Sequence, residues 1–214
     1  MKAVFICLVL TLALGLPTQA KAPLDDAALR VQDRYDQLQG LQADYVQILT
    51  NAATGEEDRR TGRIYFQKPM QIRWEAETPE RELLVMDGDR VWNYFPEENE
   101  VYEYRVEDIL NSRTMLNFIS GQARLAEDFR VEVQGSEQGL DKLRLVPREP
   151  EPNLVLAYLW TDPEGLLHRI MLVDFFGNSN ELRFESIKTD PDLDPEKFTF
   201  EAPEGAEVLE GTDN

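Results

Sequence analysis

From Leu24 onward the apolar residues Leu24, Ala28, Val31, Tyr35 and Leu38 recur every three or four positions, the spacing of one helix face. Gly40 is expected to close that helix. The period then changes to two. Tyr45 to Leu49, Ile64 to Phe66 and Met70 to Glu77 read as half-buried strands, the last alternating without error, and Leu83 to Met86, Val91 to Phe95 and Val101 to Val106 continue the series. Asn51 to Gly55, Asp87-Gly88 and Asp162 to Gly165 separate strands with residues that accept tight turns, so consecutive strands should form an antiparallel meander. Between Glu107 and Gly121 the helical period returns, with Ile109, Leu110, Leu116, Phe118 and Ile119 on one stripe. Strands resume at Phe129 to Gln134, Leu140 to Val146, Leu154 to Trp160, Leu167 to Val173 and Leu182 to Ile187, and a short last one is expected around Phe198 and Phe200. About eleven strands, with helices confined to the start and middle, predict one α+β domain from Leu24 to Val208, a large curved sheet with helices on one face. The tail after Glu207 is expected to be loose.

Several strands carry more apolar surface than one core face needs. Leu83 to Met86, Val91-Trp92, Leu154 to Trp160 and Ile170 to Val173 are apolar on both faces, whereas hairpin-linked sheets commonly leave one face to water. The second face is therefore either a packed core or the lining of a cavity. Tyr45, Trp74, Trp92, Tyr94, Tyr102 and Tyr104 suit both uses.

The first twenty residues differ from the rest. Lys2 is their only charge, Ala3 to Leu16 is apolar apart from Thr11 and Gly15, and small residues follow, so residues 1–20 read as a secretory signal peptide cleaved after Ala20 or Ala22. The run is shorter than the ~20 apolar residues of a membrane span. Residues 21–214 are then a single domain. Cys7 lies inside the apolar run, which leaves the mature chain without cysteine and stabilised without disulfides.

Composition narrows the function. The 214 residues hold 41 Asp and Glu against 22 Lys and Arg, a formal charge of -19, which argues against nucleic acid and against adhesion to anionic membranes. One His and one Cys offer little for metal ligation or His-dependent catalysis. His168 occupies an ordinary strand position, Gly177 to Asn180 lacks the second glycine of a nucleophile elbow, and no glycine-rich phosphate loop is present. Asp190-Pro191-Asp192-Leu193-Asp194 has the look of an opening calcium loop, but Pro195 stands where the sharp turn needs glycine, so it reads as a solvated turn. The carboxylate pairs Glu75/Glu77 and Glu97/Glu98 read as solvated surface. No catalytic, metal or cofactor site is expected.

A set of segments in fixed order carries a resemblance. Ala43 to Gln47, Gly62 to Pro69, Trp74 followed by Pro79, Leu84 to Gly88, Trp92 to Pro96 and the ending Lys197 to Val208 together resemble the outer-membrane lipoprotein carrier family, LolA, over essentially the whole mature chain. The resemblance implies an unclosed antiparallel β-barrel whose concave apolar face is lidded by helices. It further implies a monomeric periplasmic chaperone, not an enzyme, that takes triacylated lipoproteins from an inner-membrane ABC transporter to an outer-membrane lipoprotein receptor. Three acyl chains hold about 45 methylene groups, whose exposure at ~0.8 kcal/mol each would cost on the order of 35 kcal/mol, so such cargo needs a cover in water. The lipid cavity is expected to involve Tyr45, Phe66, Ile72, Trp74, Leu84, Trp92 and Tyr94, with Met115, Leu116 and Phe118 on the lid helix. Lys68 stands before Pro69 where the family commonly has the arginine that latches the lid; Arg73 is the alternative latch, though its alternation points outward. A carrier of another lipid, such as a glycolipid or terpenoid, and a lipid-sensing regulatory domain of the same fold are the alternatives.

Overall fold

A computed structural model describes residues 24–107, 115–151 and 153–211. The expected signal peptide and the stripe residues Ile109 and Leu110 lie outside them. Among the described residues helix α1 (Leu24–Gln37) comes first, and twelve strands follow: β1 (Gly40–Thr50), β2 (Glu57–Gln67), β3 (Gln71–Thr78), β4 (Glu82–Met86), β5 (Arg90–Phe95), β6 (Glu100–Arg105), β7 (Phe129–Glu137), β8 (Leu140–Pro147), β9 (Leu156–Thr161), β10 (Leu167–Val173), β11 (Ser179–Thr189) and β12 (Glu207–Glu210). Between β6 and β7 lie the short helices α2 (Met115–Ile119) and α3 (Leu125–Asp128).

All twelve strands form one sheet in the order β12-β6-β5-β4-β3-β2-β1-β11-β10-β9-β8-β7. The meander is antiparallel throughout except that β12 lies parallel to β6. β12 and β7 do not pair with each other, so the barrel is unclosed. Residues Val208 to Glu210 thus belong to an edge strand where a loose tail was expected: Glu207 pairs with Glu100, and the Gly211 amide donates to Glu103 O at 2.8 Å.

Strand register sorts the side chains into two faces. On the concave face, Tyr45 lies opposite Phe184, Ile64 opposite Trp74, Trp74 opposite Leu84, and Leu182 opposite Ile170. This face meets the helices. Ala28, Val31 and Tyr35 of α1 and Leu116, Phe118 and Ile119 of α2 share one buried cluster with Tyr45, Phe66, Ile72, Leu159, Ile170 and Leu182. The α1 periodicity therefore forecast its buried side. Gly40 does not cap the helix; it opens β1, opposite Gln67.

The convex face resolves the question of the second apolar surface. Over β2, β3 and β5 it is covered by the chain that follows β11. Phe198, Leu193 and Tyr65 form a separate buried cluster, and Phe200 rests on Trp92 and Tyr94 at ring separations of 5.9 and 6.0 Å. Arg73, paired with Glu75 at 2.5 Å, donates to Lys197 O at 3.2 Å and fastens the same segment. Around Phe198 the predicted strand is replaced by a 3-10 turn, Pro195–Phe198, because the Asp194 carboxylate accepts from Glu196 N and Pro195 supplies a preset first φ. Over β8 to β11 charged side chains do the covering: Arg169 and Lys142 lie 3.9 and 4.8 Å from the centre of the buried Trp160 ring. Two apolar faces, in this sheet, mean two packed layers.

Candidate functional site

β1 to β4 position the floor of the concave face, because alternation puts Tyr45, Phe66, Ile72, Trp74 and Leu84 on one side and the register brings them level. Phe66 and Ile72 are fully buried. Trp74 meets the Tyr45 ring edge-on at 5.3 Å, and the Tyr45 hydroxyl donates to Glu75 O at 3.3 Å. The close approach depends on Gly62, which lies opposite Tyr45 at an irregularity in the β2–β3 register. A Cβ at that position would sit 1.8 Å from Glu75 O and 2.9 Å from the Tyr45 hydroxyl.

From the lid side, Met115, Leu116 and Phe118 all point into this face, with Phe118 against Phe129 at 5.6 Å. Thus eight of the ten expected cavity residues converge. Trp92 and Tyr94 do not. They alternate out of register with Asn93, whose cross-strand partner is the concave Leu84, so their rings lie on the convex face under Phe200. Their aromatic character showed that a layer was needed, but not on which side.

In this closed arrangement the helices fill most of the concavity. Between Val31, Tyr35, Phe118, Leu125, Leu159 and Leu167 only about 10 Å³ stays free. Toward the end of the face carrying the β1–β2 and β10–β11 hairpins a cleft of about 590 Å³ opens, floored by Leu49, Met115 and Leu172 and rimmed by Glu56, Glu57, Asp58, Asp174 and Asn178. A smaller space of about 180 Å³ adjoins Tyr45, Trp74 and Leu84, with Arg60 and Glu82 at its edge. Those two are ion-paired at 3.2 Å, and Asn93 donates to Glu82 at 2.9 Å. Leu49 and Leu172 were not anticipated. Leu49 shares the alternation of Tyr45, which was a usable signal; Leu172 needed the β10–β11 register.

Lys68 Nζ donates to Asp36 O, in the last turn of α1, at 2.7 Å, and the Lys68 amide donates to Gln39 O at 2.9 Å. A cation there also suits the negative end of the helix. Arg73, on the convex face, has no path to the helices. Two acidic elements have structural explanations. Asp190 accepts from the Gln39 and Gly40 amides at 2.7 and 3.1 Å, and Asp162 braces its turn while contacting His168 Nε2 at 3.2 Å.

Burial, opposed by a hydrogen bond with Trp74 and aided by the Glu82 charge, pushes the Tyr45 phenol up to about 12; burial also raises that of Tyr35. The raised pKa favours the neutral phenol in the folded state, so the stability it contributes is complete below the ordinary value of 10.0 and is lost as pH rises from there toward about 12. We expect Tyr45→Phe to flatten this alkaline loss. Denaturant midpoints measured at pH 8 to 12 check it, and parallel curves for parent and variant would show that Tyr45 is not the group concerned.

An open-edged sheet whose apolar wall meets an apolar helical cover suits the binding of flexible apolar ligands. The family model described as outer membrane lipoprotein carrier protein LolA matches residues 36–201, and the chain belongs to that family. The outer-membrane lipoprotein carrier protein of Methylococcus capsulatus is 31% identical over 182 residues, covering 85% of this chain and 86% of the relative. That of Chromohalobacter salexigens is 31% identical over 202 residues, covering 93% and 92%. Among solved structures, an uncharacterized conserved protein from Thermus thermophilus has the same fold, with a TM-score of 0.57 at 16% identity over 87% of this chain and 98% of its own.

Proposed function

We propose that this protein carries acylated lipoproteins through the periplasm, holding their acyl chains against the concave wall of Tyr45, Phe66, Ile72, Trp74 and Leu84. The observation that carries the reading is the convergence of that wall with an apolar helical cover. The relatives named as outer-membrane lipoprotein carriers support it. The donor would be an inner-membrane ABC transporter and the acceptor an outer-membrane receptor, with the carrier acting as a monomer, without a cofactor and without catalysing a reaction. The free cleft of about 590 Å³ falls within the ~300–1,000 Å³ range of small-ligand sites, so three chains enter only if α2 leaves the face. Non-directional contact with Met115, Leu116 and Phe118 lets cargo and helix exchange places at similar free energy.

Lys68 is the latch in this scheme, because its hydrogen bond joins the β2–β3 turn to the end of α1, whose Tyr35 packs against Phe118 and Gly121 at the end of α2. Lys68→Leu should lower stability by only about 1 kcal/mol, the value of a typical exposed hydrogen bond, yet change the rate of lipid release several-fold. Unchanged release kinetics would remove the latch role.

The cargo itself is tested by purification from a periplasm and mass spectrometry of the extracted lipid and associated protein. Co-purified triacylated lipoprotein is expected. A free glycolipid or terpenoid would redirect the reading to another lipid, and a protein that never loads would end it.

A further inference from the structure

The β10–β11 hairpin presents Phe175 and Phe176 to solvent at 77% and 81% exposure, whereas the next most exposed large apolar side chain among the described residues, Val208, is at 53%. Folding gains little from two aromatic rings left in water. Their presentation is nevertheless tightly fixed. Asp174 Oδ1 accepts from the Phe176 and Asn178 amides at 2.8 and 2.9 Å, Asn178 Nδ2 donates to Asp174 Oδ2 at 2.8 Å, and Gly177 turns the chain at φ +84. The neighbouring hairpin braces this tip, since the Ala52 amide donates to Asn178 Oδ1 at 3.0 Å. The two rings meet edge to face at 5.9 Å and 85°. A rigid aromatic pair is what a binding anchor requires, because little freedom is left to lose on docking.

Position and charge select the occupant. Asp174 and Asn178, which hold the tip, also rim the 590 Å³ cleft, and Glu56, Glu57 and Asp58 rim it from the β1–β2 hairpin. An interfacial anchor for an anionic bilayer needs Lys and Arg beside its apolar residues; this one stands beside carboxylates on a chain of formal charge -19. We infer that Phe175 and Phe176 are the anchor by which the carrier docks on a membrane-bound protein partner that offers an apolar socket ringed by basic side chains. Docking there seats the mouth of the cleft against the partner, so that acyl chains pass between them without crossing water. The inference rests on the carrier reading and adds the surface and chemistry of its partner.

The test uses the full mature chain and the double variant Phe175→Ser/Phe176→Ser, in which only the two projecting rings change. Binding is measured by interferometry to the purified inner-membrane lipoprotein transporter and to the purified outer-membrane lipoprotein receptor of the same organism. Uptake of a fluorescent fatty acid is measured in parallel. The variant should bind at least one of these partners about 30-fold more weakly, as expected for loss of a hot spot, while taking up fatty acid like the parent. Parent binding should also weaken as NaCl is raised from about 50 to about 500 mM. Equal partner binding by parent and variant, or no binding of the parent to either partner, overturns the docking surface. So does phenylalanine-dependent flotation of the parent with phosphatidylglycerol vesicles, which would make the occupant a bilayer, or a parent dimer that the variant dissolves. Failure of the parent to take up fatty acid strikes instead at the carrier reading, which the partner-binding measurement does not use.

Discussion

Trp74→Asp is expected to lower the affinity for a fluorescent fatty acid about 100-fold, or ~3 kcal/mol, while leaving a folded sheet. Trp74 stands in β3 between Ile64 and Leu84, edge-on to Tyr45 and only partly covered by the helices. Its ring is thus a piece of wall already facing space that a ligand would fill. The short aspartate side chain leaves its charge near that wall, and an acyl chain lying there would strip water from the carboxylate without giving a hydrogen bond in return. Trp74→Leu keeps the wall apolar and should retain most of the uptake. Titration of both variants, with far-ultraviolet circular dichroism to verify the sheet, measures the contrast. If aspartate and leucine bind the probe equally well, the acyl chains do not lie on this wall.

The largest stability effect is expected at Gly62. An alanine Cβ there would meet Glu75 O at 1.8 Å, a clash with main chain that no rotamer change relieves. The β2–β3 pairing must shift, and with it the Tyr45 ring packed on Trp74 and the Tyr45 hydrogen bond to Glu75 O. Overpacking of this kind costs ~3 kcal/mol, equivalent to a fall of about 10 °C in Tm for a chain of this size. Tyr45→Phe removes only the 3.3 Å hydrogen bond and should cost about 1 kcal/mol. Thermal unfolding of the two variants beside the parent separates backbone strain from the lost bond. A Gly62→Ala protein melting within about 2 °C of the parent would mean that the strands slide past each other without resistance.

The two sites differ in how they could be read. Trp74 was legible because strict alternation from Met70 to Glu77 fixes which residues share its face. Gly62 was visible only as part of a segment, since its role comes from the carbonyl of a residue thirteen positions away on another strand. Trp92 and Tyr94 show the limit of alternation. Their strand is apolar on both faces, so its pattern gives two sides without saying which is the interior. The choice was made by Phe200, delivered over the convex face by a segment that reads on its own as a short strand. β12 is a similar case: four residues of modest apolar character became a strand because the free edge of β6 offered backbone partners.

By itself the sequence determined the α1 stripe, nearly every strand of the meander, the single His and single Cys, and a strong negative charge. These depend on spacing and composition, which are local properties of the chain. Only the tertiary structure decided which apolar face meets the helices and which is closed by the C-terminal segment, that Lys68 reaches the end of α1, and that Phe175 and Phe176 stand beside the cleft at the hairpin end of the sheet. Each depends on strand register or on contact between distant segments, and side-chain periodicity specifies neither.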